Sequence, residues 1–390
     1  MKNVKIKQLT GDSLTVNKEM CQYAFCPTPI DEEQTLEQKY QQDCYVTALV
    51  EDEIPVAVVT CIPLTQNVRG KICKSGGIAD VATYPEARRK GYAKKLMYHH
   101  LKKMNENGQI CSILYPFNEG FYEKFGYITF PQIMTARFPP NVLSPVLSMK
   151  IKGEVKRYLL KENFDIYLEI LQKMQKKIHG FSIKPPSKLE QVKDQVKAWL
   201  AVAKRDGENK GFILYRVTKP FETFEIINFY YEDSSIKYLL LQYLAKHVNQ
   251  FENIEMELKP DELIECWIPD SQVISQTKAF AASVMGRIIS VENIEGMKGG
   301  KGRFSAQIVD SCCAWNNGLY EFSEKNGTLV VERTEKADCK LTIQGLSALV
   351  FGGYNPHDFI LRSWTDASDK ILEEMRKLFP RITPHIHSKF

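Results

Sequence analysis

The chain has 390 residues, 44% of them hydrophobic and 25% charged, with a formal net charge of +5. That length predicts two or three domains and that composition a soluble globular protein, with no apolar run near the roughly 20 residues of a membrane span. The basic balance is weak and the basic residues are not interleaved with aromatics, which argues against a nucleic-acid partner. Ten scattered cysteines without a C-x-x-C pair, and no signal peptide, fit the reduced thiols of a cytoplasmic protein.

In chain order, Val4–Leu9 alternates as a first strand, and helices are expected at Ser13–Phe25 and Asp31–Gln42, the second with an acidic first turn. Tyr45–Val50 and Ile54–Pro63 read as a hairpin, and Ile72–Thr83 as the next strand, with Gly76-Gly77 at a bulge or bend. Pro85, lacking an N–H for a ladder, ends that strand. Ala93, Leu96, Met97, His100, Leu101 and Met104 fall on one face of a helix from about Lys90 to Asn105, with Lys94, Lys95, Lys102 and Lys103 on the solvent face. The strand Ile110–Tyr115, a short helix around Phe121–Phe125 and a strand near Tyr127–Phe138 complete an α/β unit with a mixed sheet.

Pro139-Pro140 marks a boundary, beyond which the order partly repeats. Helices Phe164–Gln175 and Leu189–Leu200 precede strands Gly211–Val217 and Thr223–Tyr231, helix Ile236–Val248 and strand Ile254–Leu258. A third unit begins near Ile288, after a turn at Met285-Gly286. It holds a meander of Phe304–Val309, Gly318–Ser323 and Gly327–Arg333, a helical Ile343–Phe351 and a terminal helix Asp369–Leu378.

The chemistry concentrates in residues 81–93. A buried strand runs into a proline-marked turn and then a basic helix start at Arg89-Lys90-Gly91. The free N–H groups and dipole of such a helix face the turn, and Gly91 has no Cβ to keep a phosphate from the backbone, so the stretch reads as an anion site. Taken alone, Arg88-Arg89-Lys90 would be a solvated helix start. His385 and His387, without acidic or cysteine companions, make no case for a metal.

Arg88-Arg89-Lys90-Gly91-Tyr92-Ala93 fits the R/Q-x-x-G-x-G/A pyrophosphate loop of the GCN5-related N-acetyltransferases (GNAT superfamily). With residues 76–91 and 118–127, the chain more narrowly resembles the enhanced-intracellular-survival (Eis-like) acetyltransferases. That resemblance implies two GNAT-like mixed-sheet domains, 1–140 and a cofactor-less 141–287, followed by a sterol-carrier-like α+β domain, 288–390. It implies acetyl-CoA as co-substrate, no metal, a small-molecule amine acceptor of the polyamine or aminoglycoside type, and a homo-oligomer such as a hexamer.

By position in the motif, the amides of Arg89, Lys90, Gly91, Tyr92, Ala93 and Lys94 would hold the pyrophosphate. Val81, Ala82 and Thr83 would line the pantetheine, Val81 facing the thioester carbonyl, and Phe117 and Asn118 would complete the cleft. Tyr122 aligns with the general acid; a phenol near pKa 10 and a thiol near 8.5 make that transfer feasible. The base would be the terminal carboxylate of Phe390, whose pKa of about 3.5 leaves a large gap to an amine near 10. Asp80, before the cofactor strand, would favour a cationic acceptor, and Lys389 would oppose one if it points the same way. A protein lysine acetyltransferase and a non-catalytic lipid-binding protein stand as alternatives. Outside the motif, Tyr122 would be a packing aromatic and Phe390 a frayed end.

Overall fold

Runs of β-branched residues build the first sheet. In the computed structural model, which describes residues 3–25, 38–219, 221–268, 274–277 and 283–389, β1 (Val4–Leu9) leads into α1 (Leu14–Phe25). β1, β2 (Tyr45–Glu51), β3 (Ile54–Val68) and β4 (Lys71–Thr83) lie side by side, all antiparallel. Helix α2 (Tyr92–Glu106) carries the chain over to β5 (Cys111–Leu114), which pairs with β4 in parallel. A short helix, α3 (Glu119–Glu123), precedes β6 (Ile128–Thr129). The expected helix Asp31–Gln42 lies mostly outside the described residues; its last residues form a 3-10 turn, Gln38–Gln41.

Packing divides the chain differently from its linear order. One unit gathers Met1–Phe130, His179–Leu189 and Ser283–Phe390, the other Pro131–Ile178 and Glu190–Ala282. In the first, Met285-Gly286 is strand rather than turn: Met285–Ile288 pairs between β5 and β6. Gly286 is required there because an added Cβ would run into the Phe130 ring. The expected strand Tyr127–Phe138 is two strands in two sheets, β6 and Met134–Phe138, with Pro131 between them. Gly76 and Gly77 pair regularly with Pro63 and Ile62; Gly76 is small because Met104 of α2 lies on it, within 2.8 Å of where a Cβ would be.

The second unit has a seven-stranded sheet with helices Phe164–Lys177 and Ser234–Ala245. Here the expected helix Leu189–Leu200 stops at Gln195, and Trp199–Arg205 is a strand paired on both sides. Ladder pairing overrides a pattern that is ambiguous over so few residues.

The C-terminal part of the first unit adds Cys339–Thr342, parallel to Phe304–Val309, to the expected meander. Helix Ile343–Phe351 is buried at nearly every position, and one apolar core runs from the first sheet into it, with the Phe130 and Phe351 rings 4.7 Å apart.

The turn Arg69-Gly70 joins β3 to β4 with both residues at positive φ, as a two-residue hairpin loop requires. Arg69 is buried, and its guanidinium donates to Leu349 O (2.8 Å), Val350 O (2.7 Å) and Pro380 O (2.9 Å). It thereby satisfies carbonyls that the end of helix Ile343–Phe351 leaves open. The Arg69 amide donates to His179 Nδ1 (2.9 Å), so that nitrogen carries no proton, and Nε2–H donates to Phe351 O (3.0 Å). The tail then runs beside residues 179–182: His385 N donates to His179 O (2.9 Å), His387 stacks on Phe181 at 4.8 Å, and Ser388 Oγ donates to Ser182 O (2.9 Å).

Burial lowers the His179 pKa from 6.5 to about 4. The unfolded chain takes up the proton first, so the stability His179 contributes is full above pH 6.5 and is lost as pH falls towards 4. The thermal midpoint should fall over that window and fall less steeply in His179→Asn, which keeps an acceptor for the Arg69 amide but cannot be protonated. Parallel pH profiles of the two proteins in calorimetry would refute this.

Candidate functional site

The site begins where β4 parts from β5. Its pairing with β5 ends at Ile78–Leu114, and residues 79–83 continue without a β5 partner. On the other edge the register passes from Thr60–Ala79 to Val58–Ala82, so Asp80 and Val81 together stand opposite Val59. This is a bulge, with Asp80 at φ 55, a left-handed conformation that aspartate tolerates better than most residues. The bulge therefore lies at Asp80–Val81 and not at Gly76-Gly77. It turns the strand and takes Val81 out of regular pairing. Asn17 of α1, fully buried, holds the Asp80 carboxylate through Nδ2 (3.2 Å).

After Thr83 come a single 3-10 turn, Pro85–Ala87, and two left-handed residues, Arg89 (φ 62) and Gly91 (φ 80). Gly91 is the N-cap of α2, and among the described residues nothing beyond its chain neighbours lies within 4 Å of where its Cβ would be. The helical ladder starts with Lys95 N donating to Gly91 O (3.0 Å), so the amides of Tyr92, Ala93 and Lys94 precede it. Tyr92 is pinned by its hydroxyl to Glu51 Oε1 (2.8 Å), and Lys90 Nζ reaches Glu51 Oε2 (3.2 Å).

These elements enclose a cleft of about 610 Å³. Val81, Ala82 and Thr83 line it with Arg89, Gly91, Tyr92, Ala93, Lys94 and Phe117, which brings together nine of the residues expected to bind the cofactor. Lys90 is turned to Glu51, and Asn118 caps α3 by accepting from Phe121 N (2.9 Å); neither lines the cleft, nor does Asp80. Ala24 and Phe25 at the end of α1 also line it, as do Ala87, Arg88 and Phe121. Ala87 and Arg88 belong to the stretch already read as an anion site, whereas Ala24, Phe25 and Phe121 were missed; the signal for α1 was an aromatic at a helix end, which by itself points nowhere. Glu51 was missed as well, because a carboxylate at a hairpin end looks solvated.

Tyr122 lies on α3, buried, its ring 5.4 Å from Phe117, 5.0 Å from Phe121 and 6.1 Å from Tyr127. It touches the cleft's lining through Phe117 and Phe121. Burial pushes its hydroxyl well above the ordinary phenol range, so it keeps its proton at neutral pH. Phe390 lies outside the described residues. Among the described residues, no group of three or more His, Cys, Asp or Glu could hold a metal, and no helix is long and apolar enough to cross a membrane.

The second unit has a matching parallel strand pair, Thr223–Tyr231 with Asn253–Leu258, but a different turn. Only residues 232–233 separate Tyr231 from helix Ser234–Ala245, against residues 84–91 in the first unit. The helix start is already occupied by an anion: Asp233 accepts from Ile236 N (3.1 Å) and pairs with Arg205 (2.7 Å).

Residues 5–130 match an acetyltransferase (GNAT) domain family, residues 184–288 a second acetyltransferase (GNAT) domain family, and residues 291–387 the sterol carrier protein domain family. The fold is similar over 100% of both chains to a GCN5-related N-acetyltransferase from Anabaena variabilis (18% identity, TM-score 0.86). It is equally similar over 100% of both chains to a conserved protein of unknown function from Enterococcus faecalis (19%, 0.86). Eis1 from Mycobacterium abscessus is similar over 99% of this chain and 100% of its own (16%, 0.79). No curated protein matches the sequence.

Replacing Glu51 by Ala leaves the Tyr92 hydroxyl and Lys90 without their shared partner beneath the turn. Because the carboxylate is buried, the loss should be about 1.5–3 kcal/mol, read from urea unfolding. A change below about 0.5 kcal/mol would show that the turn does not depend on it.

Proposed function

Taking the chain as a GNAT acetyltransferase that carries a C-terminal sterol carrier protein domain, we propose that it transfers acetyl from acetyl-CoA to a primary amine of a small polyamine or aminoglycoside-type acceptor. The observation that carries this is the cleft itself. Strand residues Val81–Thr83, freed from pairing with β5, form one wall, and the left-handed turn before α2 presents amides towards the open space beside Gly91. A pyrophosphate fits the charge and the geometry of that turn. The Val81 amide, at the bulge, is the donor best placed to polarise the thioester carbonyl.

Tyr122 supplies a proton to the departing thiolate. Its raised pKa holds the proton ready, but widens the gap to a thiol near 8.5 beyond what ordinary values suggest. The terminal carboxylate of Phe390 takes the amine's proton. What supports this is the path before it: the tail is tied to residues 179–182 as far as Ser388. Asp80, half-buried and held by Asn17, favours a cationic acceptor. The lipid-carrier alternative is weakened by helix Ile343–Phe351, whose apolar positions are spent on the shared core.

The direct test is thiol release from acetyl-CoA with a panel of aminoglycosides, polyamines and lysine peptides. Release with peptides alone would move the reading to protein acetylation, and none with any amine would end it. Gly91→Glu should weaken acetyl-CoA binding by at least about a hundredfold in calorimetry, because it sets bulk and negative charge where the phosphates lie; retained affinity would disprove the turn's role.

Tyr122→Phe should lower kcat by about 10²–10⁴-fold. With the native phenol, no alkaline loss of rate due to Tyr122 is expected below about pH 10. Deleting Phe390 should collapse kcat with acetyl-CoA affinity unchanged. A fall of less than about threefold in either variant would remove that residue from the mechanism.

A further inference from the structure

Helix α3 is only five residues long, too short to be stable alone, and its last turn is closed by groups far away in sequence. Three successive carbonyls at that end each take a donor from residues 283–390. Glu123 O accepts from Gln344 Nε2 (3.1 Å), Lys124 O from Cys312 Sγ (3.3 Å) and Phe125 O from Arg287 Nη1. Arg287 is completely buried and fixed by Asp310 Oδ2 (2.6 Å). Asp310 in turn accepts from Asn316 Nδ2 (2.9 Å) and from the amides of Cys312 and Cys313 (3.0 Å each). Gly126, at φ 86, closes the turn with no room for a Cβ between Ile343 and Arg287.

We propose that Gln344, Cys312 and Arg287 are positioning residues for Tyr122: they clamp the last turn of α3 and so set where the phenol O–H points. The proposal rests on the reading of Tyr122 as general acid. Terminal carbonyls of a helix need partners, and here the clamped carbonyls are the three that directly follow Tyr122, whose ring packs on Phe121 and Tyr127. Through Gln344 and Cys312 the sterol-carrier-like part of the chain thus serves the acid as well as the base, by contacts that do not involve its terminus.

The test uses the full-length enzyme with acetyl-CoA and its best amine from the panel. Arg287 is left intact, because removing it would strand the Asp310 carboxylate in the core. Gln344→Leu and Cys312→Ala should each lower kcat by about threefold to tenfold, the scale set by one neutral hydrogen bond, with the KM for acetyl-CoA within about twofold. Cys312→Ser, which keeps a donor, should recover most of the rate. In a Tyr122→Phe background the same changes should have no further effect, since the group they position is gone. Unchanged kcat in both variants, with Tyr122→Phe still costing at least about a hundredfold, would overturn the clamp and leave the acid standing. Equal losses in both backgrounds would also overturn it, because the residues would then act elsewhere. Full activity of Tyr122→Phe itself would remove the general-acid reading, and the clamp with it.

Discussion

The bulge at Asp80–Val81 is the constraint on which the site depends. A regular β4 would keep every residue in step with β3, whereas here Asp80 and Val81 share one partner before pairing resumes at Ala82. With two residues opposite one, and with β5 ending at Leu114, the strand bends away and exposes a backbone wall. The turn before α2 hangs from the end of that wall, and its own geometry is held from below by Glu51 through Tyr92 and Lys90. The cleft beside the turn follows from one bulge and from the end of the pairing with β5.

A second dependence runs through buried cations. Arg69 ties the turn between β3 and β4 to the end of helix Ile343–Phe351, and Arg287 ties a returning strand to the loop at Asp310. Each guanidinium is desolvated, and each is matched by carbonyls or a carboxylate. Such centres are more specific than they are stabilising, because a hydrophobic swap could pack as well but would not choose these partners. Through them the sterol-carrier-like part is built into the first unit's core rather than appended to it.

Much of this was legible in the sequence. The α2 face, with Leu96, Met97, His100, Leu101 and Met104 inside, followed from helical spacing alone. The turn before α2 was readable because glycine, proline and basic residues meet in one short stretch. What escaped was whatever depends on distant partners. Met285-Gly286 looked like a turn because a glycine by itself signals flexibility, whereas here it signals the Phe130 ring pressed against the strand. Gly76-Gly77 drew the bulge to the wrong place, since the actual one is made by an aspartate in a left-handed conformation. Ala24 and Phe25 joined the cleft only through the packing of α1. The clamp on α3 escaped because its donors lie more than 160 positions from the carbonyls they reach.

The placement of Met285–Ile288 between β5 and β6 has a consequence for biosynthesis. The first sheet lacks an interior strand until residue 288 has been made, 158 residues after Phe130. At about 5–20 residues per second, the ribosome needs roughly 8–30 s to supply it. Over that interval β5 presents an open hydrogen-bonding edge next to apolar side chains, the kind of surface that nascent-chain chaperones cover. The acetyltransferase domain at residues 5–130 is thus completed only after the chain has run on to residue 288.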